Sequence, residues 1–190
     1  MSEQPAPPQV TPPPGRSRLT RAVIEVEAHA AAEGWDGPVR LFALVPTADL
    51  LEREPRLAAA LGVEAAAAAS ADPNHLTPVE QEGLPEAATL EDLLAQVAWP
   101  AEVLGAAVVV ERVMLPPEAE AGMPQDEQEA LRWIGEHPQR QEVRLAVGVL
   151  RDGTRECALR FREHDRDDAV LSGPDLVPSL AEALAATLAD

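Results

Sequence analysis

Apolar side chains recur at helical spacing from residue 17 onward. The stripe consists of Leu19, Ala22, Val23, Val26 and Ala30. This spacing predicts an amphipathic helix that ends at Gly34 and faces a core, with Arg18, Arg21, Glu25 and Glu33 on the solvent side.

Further helices are indicated by caps and apolar spacing. Thr89 precedes a helix from Leu90 to about Ala98, and a last helix carries Val177, Leu180, Leu184 and Leu188 on one side. Shorter helices are predicted after Thr47, after Pro55 (Leu57, Ala58, Leu61 to Gly62) and from Asp126 to Gly135. We expect residues 63–88 to form a loop, with one helical turn at the capping box 77–80.

Two segments have the composition of β-strands outside the hairpin discussed next. Residues 39–45 are β-rich and bounded by prolines, and residues 106–115 are rich in valine. Because Val108, Val109 and Val110 are apolar on both faces, we expect the second strand to lie in the middle of the sheet.

The segment 142–162 predicts a β-hairpin with a defined register. A two-residue Asp-Gly loop would place Glu156 on the core face opposite Val149. A three-residue loop, Arg151-Asp152-Gly153 with a left-handed glycine, instead keeps apolar residues together. It pairs Val147 with Cys157, Leu145 with Leu159, and Val143 with Phe161, so we favour this register.

These elements predict an α+β fold with a single-layer antiparallel sheet and helices packed on one face. Residues 1–17 are rich in proline and poor in large apolar side chains, so we expect a disordered N-terminal tail. Residues 18–190 then form a single domain, a size that suits one hydrophobic core.

Composition excludes several functional classes. The 190 residues hold 33 Asp and Glu against 15 basic residues, a net charge of −18 that repels nucleic acids and anionic lipids. No apolar run approaches the length of a membrane span, and the N-terminus lacks a secretory pattern, which predicts a cytoplasmic protein without membrane insertion. One cysteine excludes an internal disulfide or a cysteine-built zinc site, and no cofactor motif is found.

Three arginines on the outer face of the hairpin form a candidate binding site. Arg144, Arg160 and Arg162 alternate with the apolar residues and would gather positive charge on an acidic protein. They either bind an acidic peptide or pair with the chain's own carboxylates, and the surplus of acid favours self-pairing.

The loop after the hairpin is a candidate metal site. His164, Asp165 and Asp168 offer imidazole and carboxylate ligands within a few residues, together with Asp167. The loop lacks the order of a calcium-binding loop and a second nearby histidine, so a solvated turn is the favoured interpretation.

Two other segments favour structural interpretations. Cys157 lies on the inward face of its strand and is expected in the core rather than as a nucleophile. In Ser172-Gly173-Pro174-Asp175, Asp175 is expected to cap the last helix rather than leave an anion site.

The hairpin and the segment Ser172 to Pro178 resemble an uncharacterised actinobacterial family of acidic cytosolic proteins, over about Leu19 to the C-terminus. The absence of lysine fits the GC-rich genome that this resemblance implies. The resemblance implies no catalytic residue. A weaker architectural likeness links the chain to small acidic secretion chaperones of the α+β class.

The sequence therefore favours a non-enzymatic binding or adaptor protein, possessing chaperone-like architecture, that holds an unidentified protein partner. A homodimer is one alternative for its oligomeric state. The alternative function is a metal-assisted hydrolase or small-molecule enzyme using His164, Asp165 and Asp168. A purely structural subunit of a larger complex is a third hypothesis.

Overall fold

The computed structural model describes residues 14–54, 56, 67 and 71–189. Its helices are α1 (Pro14–Ala32), α2 (Thr47–Arg53), α3 (Leu90–Leu94), α4 (Pro117–Glu120), α5 (Glu127–Glu136) and α6 (Pro178–Ala186). Its strands are β1 (Arg40–Pro46), β2 (Leu76–Glu80), β3 (Gly105–Met114), β4 (Gln141–Leu150), β5 (Arg155–Phe161) and β6 (Leu171–Gly173). Two single 3-10 turns, Arg162–His164 and Asp167–Ala169, lie between β5 and β6.

The strands form one antiparallel sheet in the order β2-β1-β3-β4-β5-β6. The predicted α+β class with a single antiparallel sheet is confirmed. The valine-rich strand β3 lies in the interior of the sheet, as its apolar character on both faces indicated.

Helices cover both faces of the sheet, whereas the pattern of elements had placed them on one. Helix α1 packs on one face through its predicted stripe, over residues such as Ala107 and Ala146. Helices α3 and α6 cover the other face, over residues such as Val108 and Val147. The reason is that β3 and β4 are apolar on both sides, and each side needs a cover.

The predicted hairpin register is confirmed. Val147 pairs with Cys157, Leu145 with Leu159, and Val143 with Phe161. Gly153 adopts a φ of 85°, the left-handed conformation that the three-residue loop requires. The strands that carry the candidate arginines are therefore aligned as expected.

Three local predictions are wrong, and in the first two cases tertiary pairing replaces the local motif. Residues 77–80 belong to β2, which pairs with β1, and do not form a helical turn. Thr47 begins α2 without capping it, since its hydroxyl contacts His75 and Thr77. Helix α6 begins at Pro178 after Val177, without a side-chain cap from Asp175.

The ends of several elements also differ from prediction. Helix α1 begins at Pro14, so the last residues of the expected tail 1–17 are helical. Helix α3 has the predicted Thr89 cap but ends at Leu94. Strand β6 was not predicted, because three residues carry too short a pattern. Residues 1–13 and the helix expected around Leu57 to Gly62 lie outside the described residues.

Candidate functional site

The hairpin arginines do not form the open face that their alternation suggested. Arg144 is 1% exposed and Arg160 is 3% exposed. Helix α1 covers this face of β4 and β5, so the expectation of an exposed binding patch is wrong for these two residues. Sheet alternation places a side chain on a face but does not say whether a helix lies over it.

Arg160 is the centre of a buried ion-pair cluster. Its guanidinium donates two hydrogen bonds to the carboxylate of Glu27, on α1, at 2.6 and 2.9 Å. It also donates to Asp167 at 2.8 Å and to Asp165 at 3.2 Å. These partners raise the pKa of Arg160, with the Glu27 hydrogen bond as the main cause. One arginine therefore holds α1 and the 3-10 turns against β5.

Arg144 ties the turn after α1 to the sheet. It donates to the carbonyl oxygen of Gly34 and to the carboxylate of Glu111, the latter at 2.9 Å. Its guanidinium carbon lies 4.4 Å from the ring centroid of Trp35, in a cation–π arrangement. Its Nη1 is 3.9 Å from a Glu27 oxygen and has no hydrogen-bond partner among the described residues.

The spacing of apolar residues along α1 indicates that Glu27 is buried, which amino-acid composition alone does not show. Glu27 is 1% exposed and lies four residues after Val23 and three before Ala30, on the apolar stripe itself. A carboxylate in that position needs a buried cation. The two candidate arginines of the hairpin supply it.

Arg162 lies at the edge of the same cluster and remains 40% exposed at its side chain. It donates to both carboxylate oxygens of Asp36 at 3.0 Å and to Glu142 at 2.5 Å. The hydrogen bond from Arg162 lowers the pKa of Asp36. All three hairpin arginines are thus paired with the chain's own carboxylates, the favoured of the two interpretations.

The candidate metal loop is held by cations and an indole instead. Asp165 accepts a hydrogen bond from Trp35 Nε1 at 2.9 Å and another from Arg160, and these lower its pKa in that order of effect. Asp168 is exposed and pairs with Arg166 at 3.4 Å. Within the described ranges, no group of three or more His, Cys, Asp or Glu side chains is arranged to hold a metal, including the loop at His164.

Cys157 is fully buried in the apolar cluster that also contains Ala181 and Leu184 of α6, on the inward face where the hairpin register placed it. Burial raises the pKa of its thiol. A buried thiol with a raised pKa is a poor nucleophile, in agreement with the structural interpretation.

Cavities gather at the end of the sheet where β3 and β5 finish and β4 begins. One of about 300 Å³ is lined by Trp35, Asp36, Glu111, Arg112, Val113, Glu142 and Arg162. A second, of about 370 Å³, lies on the other side of Glu142 and Arg162 and reaches Phe161 and His164. A third, of about 580 Å³, lies under α3 and has mostly apolar walls, including Val39, Leu84, Leu90 and Leu93.

The connection 115–140, which holds α4 and α5, extends from this same end of the sheet. Met114 and Gln141 are register partners, so the connection leaves and re-enters at one place. No side chain of α5 is buried, and Leu131 is 65% exposed. The two apolar core clusters contain no residue of the connection. Its aromatic Trp133 packs locally against His137, with ring centroids 4.5 Å apart.

Exposed apolar side chains are frequent in this part of the chain. Four of the seven large exposed apolar side chains in the described residues belong to the end of β3 or to the connection that follows it, and we name this group the β3-end surface: Val113, Met114, Met123 and Leu131. Acidic residues accompany them in the connection, namely Glu118, Asp126, Glu127, Glu129 and Glu136. The surface therefore combines apolar contact area with negative charge.

Comparison with known proteins identifies a family. A family model described as PPA1309-like protein matches residues 19–189. This range agrees with the extent of the resemblance drawn from the hairpin and the segment Ser172 to Pro178. No curated protein and no solved structure matches the chain. No helix in the described ranges has the length and apolar character of a membrane-spanning segment.

Proposed function

The chain belongs to the family of PPA1309-like proteins, and we propose that it is a non-enzymatic adaptor that binds a basic segment of a partner protein at its β3-end surface. The observation that carries this proposal is helix α5. It is amphipathic, with Ala130, Leu131, Trp133 and Ile134 on one side, yet none of these is fully buried and Leu131 is 65% exposed. The helices α1, α3 and α6 all bury apolar side chains in the core.

Exposed apolar area of this kind is typical of protein interaction surfaces. Val113 is 45% exposed and Met114 is 41% exposed, at the end of a strand whose earlier residues are buried. Solvent contact of such a group of side chains is unfavourable, and a partner that covers them gains the free energy of burial.

The negative charge of the protein indicates which class of partner binds this surface. The chain carries −18, and the connection around the exposed apolar residues is rich in carboxylates. A second copy of the chain would bring the same negative charge, whereas a segment with arginine or lysine beside apolar residues complements the surface. We therefore assign the surface to a basic partner segment.

A peptide array tests this assignment. It spans acidic to basic sequences, each in one form with apolar residues and one without, and is probed with the labelled full-length protein. Basic peptides with apolar residues should bind. Leu131→Glu should weaken that binding about tenfold or more, because a buried leucine side chain contributes about 1.5–3 kcal/mol.

The matched control is Leu171→Glu, which adds the same charge at an exposed apolar position on strand β6. Binding driven by net charge alone would strengthen slightly in both variants, since both become more acidic. Equal binding by Leu131→Glu and the wild type, or a preference for acidic peptides, overturns the proposal.

Other expectations from the sequence stay predictions. A cytoplasmic location, an actinobacterial source, chaperone-like activity and a homodimer rest on composition and resemblance alone. Sedimentation of the purified chain decides its oligomeric state. For the alternative metal-assisted enzyme, calorimetry with divalent cations is the test; Asp165 and Asp167 already accept hydrogen bonds from Arg160.

A further inference from the structure

Strand β3 has an open edge at its carboxyl end. Strand β1 begins at Arg40, opposite Val109, while β4 continues alongside β3 as far as Met114. The turn after α1 lies beside Glu111, whose carboxylate accepts a hydrogen bond from the Asp36 amide at 2.7 Å. Residues 112–114 therefore have a strand partner on one side only in the described part of the chain.

The hydrogen-bond pattern shows which backbone groups face this open edge. Leu150 N donates to Thr154 O at 2.8 Å, so even-numbered residues of β4 pair with β5 and odd-numbered ones with β3. By the β3–β4 register, even-numbered residues of β3 then bond to β4. The N–H and C=O of Val113 consequently point toward the open edge, and no described backbone group pairs with them.

Cavities flank the open edge on both faces of the sheet. Val113 lines the cavity of about 300 Å³ beside Trp35. The apolar cavity of about 580 Å³ under α3 lies on the opposite face, and Arg112 lines both. Because side chains of a strand alternate between faces, a strand added here would send successive side chains into the two cavities.

The residues that line the two cavities indicate which side chains an added strand would place in them. The larger cavity has walls of Val39, Leu84, Leu90 and Leu93, which suit aliphatic groups. The smaller one has three carboxylates, of Asp36, Glu111 and Glu142, against two guanidinium groups, and it includes the ring of Trp35. These carboxylates already pair with Arg162 and Arg144, so the lining by itself is polar, and the net charge of −18 on the chain favours a basic side chain there.

We infer that the partner segment binds in extended form, as an added strand beside Val113, with aliphatic and basic residues in alternation. This inference rests on the proposed function, whose partner it describes. The basic residue lies opposite Val113 and exchanges backbone hydrogen bonds with it. The aliphatic residues on either side enter the cavity under α3.

A fluorescently labelled peptide of alternating valine and arginine, capped at both ends, is the probe. Its affinity for the full-length protein is measured by fluorescence polarisation. Val113→Pro removes only the outward N–H, since Val113 does not bond to β4, and proline is tolerated at such an edge position. We expect an affinity loss of about tenfold, from the lost hydrogen bond and the ring that blocks the edge. Val113→Ala removes apolar contact area but keeps the N–H, so it should lose clearly less affinity than Val113→Pro.

Two N-methylated peptides give a matched test on the unaltered protein. Methylation of the arginine amides removes the N–H groups that face β3 and should abolish binding. Methylation of the valine amides removes only N–H groups that point away from β3, so the affinity of the peptide should not change. In hydrogen exchange, the Val113 amide should become protected when the unmodified peptide binds.

The outcomes separate the inference from the proposed function. If Leu131→Glu weakens binding but Val113→Pro and arginine methylation do not, the adaptor proposal stands and the added strand is wrong. If none of these changes weakens binding, both are wrong. Should Val113→Pro fail to fold by circular dichroism, the two methylated peptides decide the question alone.

Discussion

The carboxylate of Glu27 accepts two hydrogen bonds from Arg160, although the residues lie 133 positions apart and are 1% and 3% exposed. This buried pair joins α1 to the hairpin. Removal of one partner from a buried ion pair leaves the other as an uncompensated charge, which costs more than the pair itself contributes.

Glu27→Gln should therefore lower the free energy of unfolding by roughly 3–5 kcal/mol, because Arg160 and Arg144 would lose their shared buried anion. Urea unfolding followed by circular dichroism measures the change. Glu25→Gln, on the exposed side of the same helix, serves as the control and should change stability little. Similar losses in the two variants would contradict the structural role of the cluster.

Gly148 lies where α1 approaches the sheet closely. A Cβ at this position would lie 2.5 Å from Val23 Cγ2 and 3.0 Å from Leu19 Cδ1. Gly148→Ala should therefore destabilise the protein by about 1–3 kcal/mol. Gly135→Ala, in α5 with nothing within 4 Å, should instead stabilise by about 0.5–1 kcal/mol. The same urea titration shows whether the two changes have opposite signs.

Asp165 should titrate below an ordinary aspartate, because the Trp35 indole and then Arg160 lower its pKa. Its stabilising contribution is present above the unfolded-state pKa of about 3.9 and is lost as the pH falls through the lower native pKa. Trp35→Phe should raise the native pKa toward the ordinary value. An NMR titration of the Asp165 carboxyl carbon measures this, with Trp133→Phe as the control that should leave it unchanged.

Cys157 should resist thiol reagents in the native protein, since it is buried and burial raises the pKa of its thiol. The unfolded chain ionises this group at about pH 8.5, so its contribution to stability is present below that pH and is lost as the pH rises toward the native pKa. Labelling with a chromogenic disulfide at mildly alkaline pH should be slow until urea unfolds the chain. A Cys157→Ala/Ser172→Cys variant, with its thiol on exposed β6, should label at once; equally fast labelling of native wild type would refute the buried position.

Part of the candidate site could be predicted from the sequence, because it depends on local rules. The loop at Gly153 fixes the register in which Leu145 pairs with Leu159, and this register places Arg144 opposite Arg160, as the structure shows. The same rules could not show that α1 lies over the pair, since a strand pattern contains no information on what covers each face. Glu27 lies on the apolar stripe of α1, a local signal of burial, but only the tertiary structure shows which cations it meets.

Local chemistry thus determined the helix stripe of α1, the Thr89 cap, the hairpin register and the central position of β3. The tertiary structure alone decided which charges meet under α1, that residues 77–80 become a strand beside β1, and that β3 extends past β1 to leave Val113 unpaired. The physical reason is the sequence separation of the residues that interact. Periodicity and turns act between residues close in sequence, whereas ion pairs and strand edges depend on elements that the chain brings together only when the core forms.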